Sequence, residues 1–335
     1  MRQTPRAASG FSLIELVIAM GVLLVVTSIA TSALLDLTKA QATIWNRTEM
    51  HSGVRGATEL LQQEVGQAGR IAVPDEITLL SDVASIGDCD AEVPTTNAVT
   101  MNVSSAAGLF ASTSPPVYEL LTTMDGDKSE TIKIASFDAS ASPPTITACI
   151  GEDHANGTHL IPLGSFATGI VPKTGIVNGS TDSVLKMYGD INGDGNMVYA
   201  EYVCDTTNHK LYRNVMPFDA ATKPALSNSQ VLLSNLVENP VDPDTGNPAA
   251  CFKYQETDPI VVQGTPFTFV LDVAITLSVE TEDIDPITRQ HEVETKALLN
   301  VSPRNVLYAW MLVGMGYTDR VQSTPATVTA LLADS

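Results

Sequence analysis

Twenty consecutive residues without a charge, Leu16 to Leu35, constrain what this chain can fold into more than any other stretch of its 335 residues. At about 1.5 Å of rise per residue they form about 30 Å of helix, the thickness of a bilayer's hydrocarbon core. The segment therefore reads as a membrane-spanning helix. A short basic head, MRQTPRAASG, precedes it and Asp36 closes it. One acid, Glu15, stands just inside its start. A carboxylate deep in a bilayer costs roughly 2.5–3.5 kcal/mol on insertion scales, and less toward the interface. Such a group either snorkels to the headgroups or waits for a positive partner.

The residues around that acid favour the partner. An ordinary signal peptide carries its small-residue cleavage motif after the apolar stretch, where Ser28 to Ala33 would offer one. Here Gly10 is followed by Phe11, Ser12, Leu13, Ile14 and Glu15, and the order resembles the type IV prepilin cleavage site over residues 6–30. The resemblance implies that a dedicated prepilin peptidase cuts after Gly10 and methylates the new amino terminus of Phe11. It also implies that Glu15 neutralises the terminal amine of a neighbouring subunit. Electrostatics agree: two unlike charges about 4 Å apart gain about 4 kcal/mol at an effective dielectric near 20, before desolvation is subtracted. An acid left alone among apolar helices is penalised, so pairing would select one axial register during assembly.

The rest of the chain suits an exported head. Formal charge is −20, and losing Arg2 and Arg6 with the leader makes it −22. Such acidity argues against nucleic acid and against anionic lipid as partners of the soluble part. Four cysteines, Cys89, Cys149, Cys204 and Cys251, form an even set with no C-x-x-C. That pattern is poor for zinc and suits two disulfides outside the cytoplasm. Three connectivities are open. Keeping each bridge within one half of the head favours Cys89 with Cys149 and Cys204 with Cys251.

Past the apolar run, residues 36–70 contain no proline. Val54, Ala57, Leu61, Val65 and Ala68 recur at three- and four-residue steps, with Arg55, Glu59, Gln62, Gln63 and Gln67 on the other face. The spacing predicts one helix from 11 to 69, half in lipid and half against the head, with Gly69 as its stop. From residue 71 onward, short β-type runs alternate with turn residues. The strongest is a hairpin, 267–280 returning at 290–301, with period-two alternation. Both arms are expected in the sheet that faces the long helix. Residues 216–260 read as irregular, 306–317 as a short buried segment and 318–335 as a loosely held tail. The fold class is therefore α+β and pilin-like: a leader (1–10), a transmembrane half-helix (11–35), an amphipathic half-helix (36–70) and a β-rich extracytoplasmic head (71–335).

One segment has a metal pattern. Residues 190–201, DINGDGNMVYAE, satisfy D-x-[DN]-x-[DN]-G-x5-E in full and resemble EF-hand and dockerin-type loops. Asp190, Asn192 and Asp194 would converge oxygens on Ca2+, Asn196 would offer its carbonyl, Val198 would act through water and Glu201 would be bidentate. The flanks read as strands rather than helices, so the loop is expected to feed a hairpin and Glu201 to lie on a strand. The bland alternative is an Asp/Asn/Gly turn that binds nothing.

No catalytic pattern emerges. The histidines lack ligand or triad spacing, His154 and His159 read as solvated, and no nucleophile elbow, phosphate loop or dinucleotide fingerprint occurs. The chain is expected to be a non-enzyme. The GATELLQQEVGQAG stretch, 56–69, resembles the helix end of large minor pilins of the W type and of J-type pseudopilins. The resemblance implies a minor pilin that primes or enters a type IV pilus, with a type II secretion pseudopilin as the nearest alternative. A calcium-dependent adhesive or ligand-binding module exported as a pilin is the alternative of another class. Implied partners are other pilins or pseudopilins in a filament or tip complex, prepilin peptidase and the inner membrane. The head would face outward, ending at the cell surface or in the periplasm.

Overall fold

The computed structural model describes residues 12–70, 75–87, 89, 97–107, 109, 111–113, 116–118, 120–161, 166–194, 196–262, 265–316, 321–322 and 324–333. The first element is a 55-residue helix, α1, Leu13–Gln67. The chain divides into two compact units, and α1 contributes to both.

The first unit comprises residues up to Ser52 together with Glu280–Val293. Its helical part carries the apolar run, whose large side chains from Leu13 to Leu37 are exposed. The Glu280–Val293 turn is held against α1 by polar contacts. Arg47 grips the Glu292 carboxylate with two N–H groups, and the Asn46 amide donates to the Asp283 carbonyl at 3.4 Å. Asp285 closes the turn by accepting the backbone N–H groups of Thr288 and Ile287 at 2.8 and 2.7 Å, which hold its carboxyl below the usual carboxylate range.

The second unit, Gly53–Val279 with Glu294–Ser335, contains the β-structure. A six-stranded sheet is built from Ile77–Thr78, His159–Ile161, Leu120–Met124, Thr131–Asp138, Thr145–Ala148 and Val99–Asn102, in that spatial order. Its core includes Leu121, Ile132, Ile134, Ile146 and Leu160. A four-stranded antiparallel sheet follows: Val184–Gly189, Val198–Asp205, Lys210–Pro217 and Val231–Ser234. A third sheet has Val270–Glu280 at its centre, with Leu236–Val237 and Phe252–Glu256 as neighbours and Val293–Val301 also paired to it.

The expected helical stripe is buried: Val54, Ala57, Leu61, Val65 and Ala68 have at most 2% of their surface exposed. Full burial of one such aliphatic side chain is worth about 1.5–3 kcal/mol. The helix meets the four-stranded sheet, because Gly53 lets Leu233 approach and Glu64 reaches Arg213. Register then sorts the sheet's two faces. Tyr202 stands opposite Arg213 on the α1 side, while Tyr188, Tyr199 and Met216 project from the opposite face into a core closed by Val328, Leu331 and Leu332.

Three expectations are corrected. The 216–260 stretch is not wholly irregular, since Phe252–Glu256 pairs with the long Val270–Glu280 strand. Residues 306–314 are not simply interior: they belong to helix α2, Arg304–Gly314, which buries Val306 and Ala309 and exposes Tyr308 and Met311. The tail is not loose, because a further helix, α3, Ala326–Leu331, buries Val328 and Leu331. In the first and third cases burial of a few well-spaced apolar side chains outweighs a turn-rich or polar local composition.

Candidate functional site

Gly10 and Phe11, the expected cleavage and methylation residues, lie outside the described residues. Ser12 and Glu15 are described, and they form a reciprocal cap. The Ser12 backbone N–H donates to Glu15 Oε2 at 2.9 Å, and the Glu15 N–H approaches Ser12 Oγ at 3.4 Å. This S-x-x-E capping box satisfies donors that a helix start leaves open. Glu15 is therefore held at the helix entrance by its own chain, with the exposed apolar face of α1 following it. Such a face is stable only in lipid or against other apolar helices.

The far end of α1 is joined to the four-stranded sheet through backbone. The Gly69 N–H donates to the Tyr188 carbonyl at 2.9 Å, and the Asp190 N–H donates to the Arg70 carbonyl at 2.7 Å. Gly69 has φ +82°, as a helix stop in the left-handed region requires. Gly169 and Gly189 also have positive φ and let their backbones come against Gly69. The Asn305 amide, at the start of α2, donates to the Gln67 and Ala68 carbonyls at 3.1 and 3.3 Å. Orphan carbonyls of the last turn are thereby satisfied.

One turn earlier, Glu64 is buried with 3% of its surface exposed. It accepts two N–H groups of Arg213 and the Tyr202 hydroxyl. Burial, then the Glu64 charge, pushes the Tyr202 phenol above its ordinary value. Tyr202 therefore remains a donor, and the three groups form one fully paired cluster. Its legible signal was spacing, since Glu64 follows Leu61 by three and precedes Ala68 by four, placing it on the buried stripe.

At the 190–201 loop, Asp190 is fully buried; its Oδ1 accepts the Asp194 N–H at 3.0 Å and its Oδ2 lies 3.5 Å from Arg70 Nε. Asp194 Oδ1 accepts the Asn196 N–H at 2.9 Å, and Asn192, Asp194 and Asn196 are exposed. Gly195 lies outside the described residues. Glu201 does not join them, and the bidentate role expected of it is corrected. Val198 opens a strand already paired to Gly189, and Glu201 stands three register positions further, opposite Lys186, on the order of 10 Å along the strand. Its carboxylate accepts the Tyr199 hydroxyl at 2.5 Å and Lys223 Nζ at 2.7 Å, with Lys186 Nζ at 3.9 Å. Two lysines already neutralise it. Among the described residues no cluster of three or more His, Cys, Asp or Glu side chains has a metal-binding arrangement. The loop fits a hard cation only in part, through Asp190, Asn192, Asp194 and the Asn196 carbonyl.

Cys89 is bonded to Cys149 with Cα atoms 5.6 Å apart, and Cys204 to Cys251 at 6.5 Å. His154 is not solvated. It is buried, and its two ring nitrogens lie 3.0 Å from Asp125 Oδ2 and Glu130 Oε1. His159 is exposed and pairs with Glu76.

A family model described as the prokaryotic N-terminal methylation motif matches residues 5–31. No curated protein matches the chain, and no solved structure matches it. The match runs from residue 5 through the capped acid and most of the uncharged run, and it identifies the N-terminus as type IV prepilin-like. A single helix long and apolar enough to cross a membrane, among the described residues, accompanies it.

Proposed function

We propose that this type IV prepilin-like protein is a minor pilin, a subunit that enters or primes a type IV pilus with α1 in the filament core and the β-rich head outside. The observation that carries the reading is the matched N-terminal motif continuing into an apolar helix face that is exposed among the described residues. The size of the head, beyond what a subunit repeated along a filament usually carries, favours a tip or initiating position. A J-type pseudopilin shares the same helix end, and neighbouring genes for a retraction motor rather than a secretin would separate the two.

Assembly in this reading exchanges the partner of Glu15, from the Ser12 N–H of its own chain to the methylated amine of a neighbour. Mass spectrometry is expected to find methylated Phe11 as the first residue of the mature protein. Glu15→Val is expected to leave processing intact and to reduce incorporation into filaments roughly tenfold or more, as loss of a buried pair implies. Intact Met1 in the mature protein, or wild-type incorporation of Glu15→Val, overturns the reading.

Calcium enters as a narrower element. We infer a weak site at Asp190, Asn192, Asp194 and the Asn196 carbonyl, with water completing the shell, of the roughly 0.1–1 mM class of extracellular modules. Millimolar calcium is expected to raise the melting temperature of the wild type and of Glu201→Gln alike, and not of Asp194→Ala. Equal melting with calcium and with chelator removes the site.

A further inference from the structure

A positive group from outside the 190–196 loop already lies in it. Arg70 Nε is 3.5 Å from Asp190 Oδ2, and Arg70 Nη1 is 3.6 Å from where a Cβ on Gly193 would stand. The guanidinium therefore reaches from the first loop position to the fourth. Backbone brings it there. Arg70 follows the Gly69 stop of α1, and its carbonyl accepts the Asp190 N–H at 2.7 Å. An ordinary Asp/Asn/Gly turn satisfies its carboxylates with its own N–H groups. Here the leading acid also holds a cation supplied by another element.

The two partners differ in their access to water. The Asp190 side chain is 0% exposed, whereas that of Arg70 is 51% exposed. A buried carboxylate cannot turn to solvent and is costly without a positive partner. A half-exposed guanidinium, always charged, can swing into water at small cost. Asp194 adds a second acid, exposed at the loop surface, whose Oδ1 accepts the Asn196 N–H. A divalent cation drawn to these oxygens would stand beside the guanidinium. Two positive groups on one buried carboxylate repel strongly where water is scarce. Asp190 therefore accommodates one of them at a time.

We propose, resting on the calcium site inferred above, that Arg70 is a built-in competitor for it: the guanidinium holds Asp190 when calcium is scarce, and calcium enters by displacing it into solvent. The competition sets a threshold. An arginine in place nine-tenths of the time lowers the apparent calcium affinity about tenfold. The loop then responds to millimolar calcium and not to traces. The junction of α1 with the four-stranded sheet survives the exchange, because the Gly69 and Asp190 backbone bonds do not involve the guanidinium.

The test uses the full chain in detergent micelles, with calcium as the probe. Arg70→Gln keeps a polar side chain and removes the charge. By calorimetry it is expected to bind calcium about tenfold more tightly than the wild type. In chelator it is expected to melt below the wild type, and calcium is expected to narrow that difference. A second readout needs no variant. Phenylglyoxal, which modifies accessible guanidinium groups, is expected to react with Arg70 several-fold faster in millimolar calcium than in chelator, as peptide mass spectrometry would show. Arg213, held by Glu64, is the reference whose rate stays constant. Calcium binding that is no tighter in Arg70→Gln, or that leaves Arg70 reactivity unchanged, overturns the displacement and leaves the calcium site standing. No calcium binding by either protein overturns the site and the displacement with it. The reactivity comparison on the wild type stands whether or not Arg70→Gln folds.

Discussion

Gly169→Ala is expected to lower the melting temperature by about 10 °C, one of the two largest effects of a single substitution in this protein. A Cβ at Gly169 would lie 2.4 Å from the Gly69 nitrogen, 2.5 Å from its Cα and 2.8 Å from the Ala68 carbonyl carbon. All three are backbone atoms at the junction of α1 with the sheet, so no side chain can turn aside. Relief requires the helix end to move off Tyr188, which breaks the Gly69 and Asp190 backbone bonds together. Gly169 also sits at φ +61°, where a side chain adds about 1–2 kcal/mol. Clash and strain together reach about 4 kcal/mol, and each kcal/mol shifts a unit of this size by about 2–4 °C. Gly246→Ala is the matched control: φ is +70° and nothing lies within 4 Å, so only backbone strain of about 1 kcal/mol is expected. Equal shifts for the two variants would show that the close approach at Gly69 contributes nothing.

Glu64→Ala carries the second large effect. It strands the Arg213 guanidinium, whose side chain is 28% exposed, and removes the acceptor of the buried Tyr202 hydroxyl. Breaking one side of a buried pair costs about 3–5 kcal/mol, because the remaining charge keeps its desolvation without its partner. Arg213→Ala is expected to cost as much or more, since Glu64 is the more deeply buried member. Replacing both by leucine is expected to cost much less than the sum, as a double-mutant cycle by denaturant unfolding would reveal. Tyr202→Phe should cost about 1–2 kcal/mol, one hydrogen bond to a charged group. Additive single losses would mean that the three groups do not act as a unit.

These two sites explain why the helix end matters. Glu64, Gly69 and Arg70 lie within seven consecutive residues; the first two meet groups on the four-stranded sheet, and Arg70 meets Asp190 just past the end of its Val184–Gly189 strand. A pull on α1, as assembly would apply, reaches the head through these contacts and through the buried stripe beneath them.

Much of this was readable along the chain, and the particular residues show why. The uncharged run and the N-terminal motif are local signals, since helix length, charge and residue order need no knowledge of what lies elsewhere. The stripe from Val54 to Ala68 obeys one helical period, so its buried face could be named in advance. The hairpin of Val270–Glu280 and Val293–Val301 showed itself by alternation for the same reason. Where local pattern met a competing long-range partner, it misled. Glu201 completed a loop pattern in sequence, but strand pairing from Val198 onward carried it to Lys186 and Lys223. His154 sat in a polar stretch and is nonetheless buried between carboxylates from another turn.

The line of amino acids thus settled the anchor, the helix and the alternating strands, whose periodicities and lengths are properties of neighbours in the chain. Three-dimensional packing settled which acid meets which base and where three glycine backbones touch. The largest of those outcomes join residues 100 or more positions apart, such as Glu64 with Arg213 and Gly69 with Gly169. No local period encodes them, because the energy that selects them exists only once the sheets and the helix have come together.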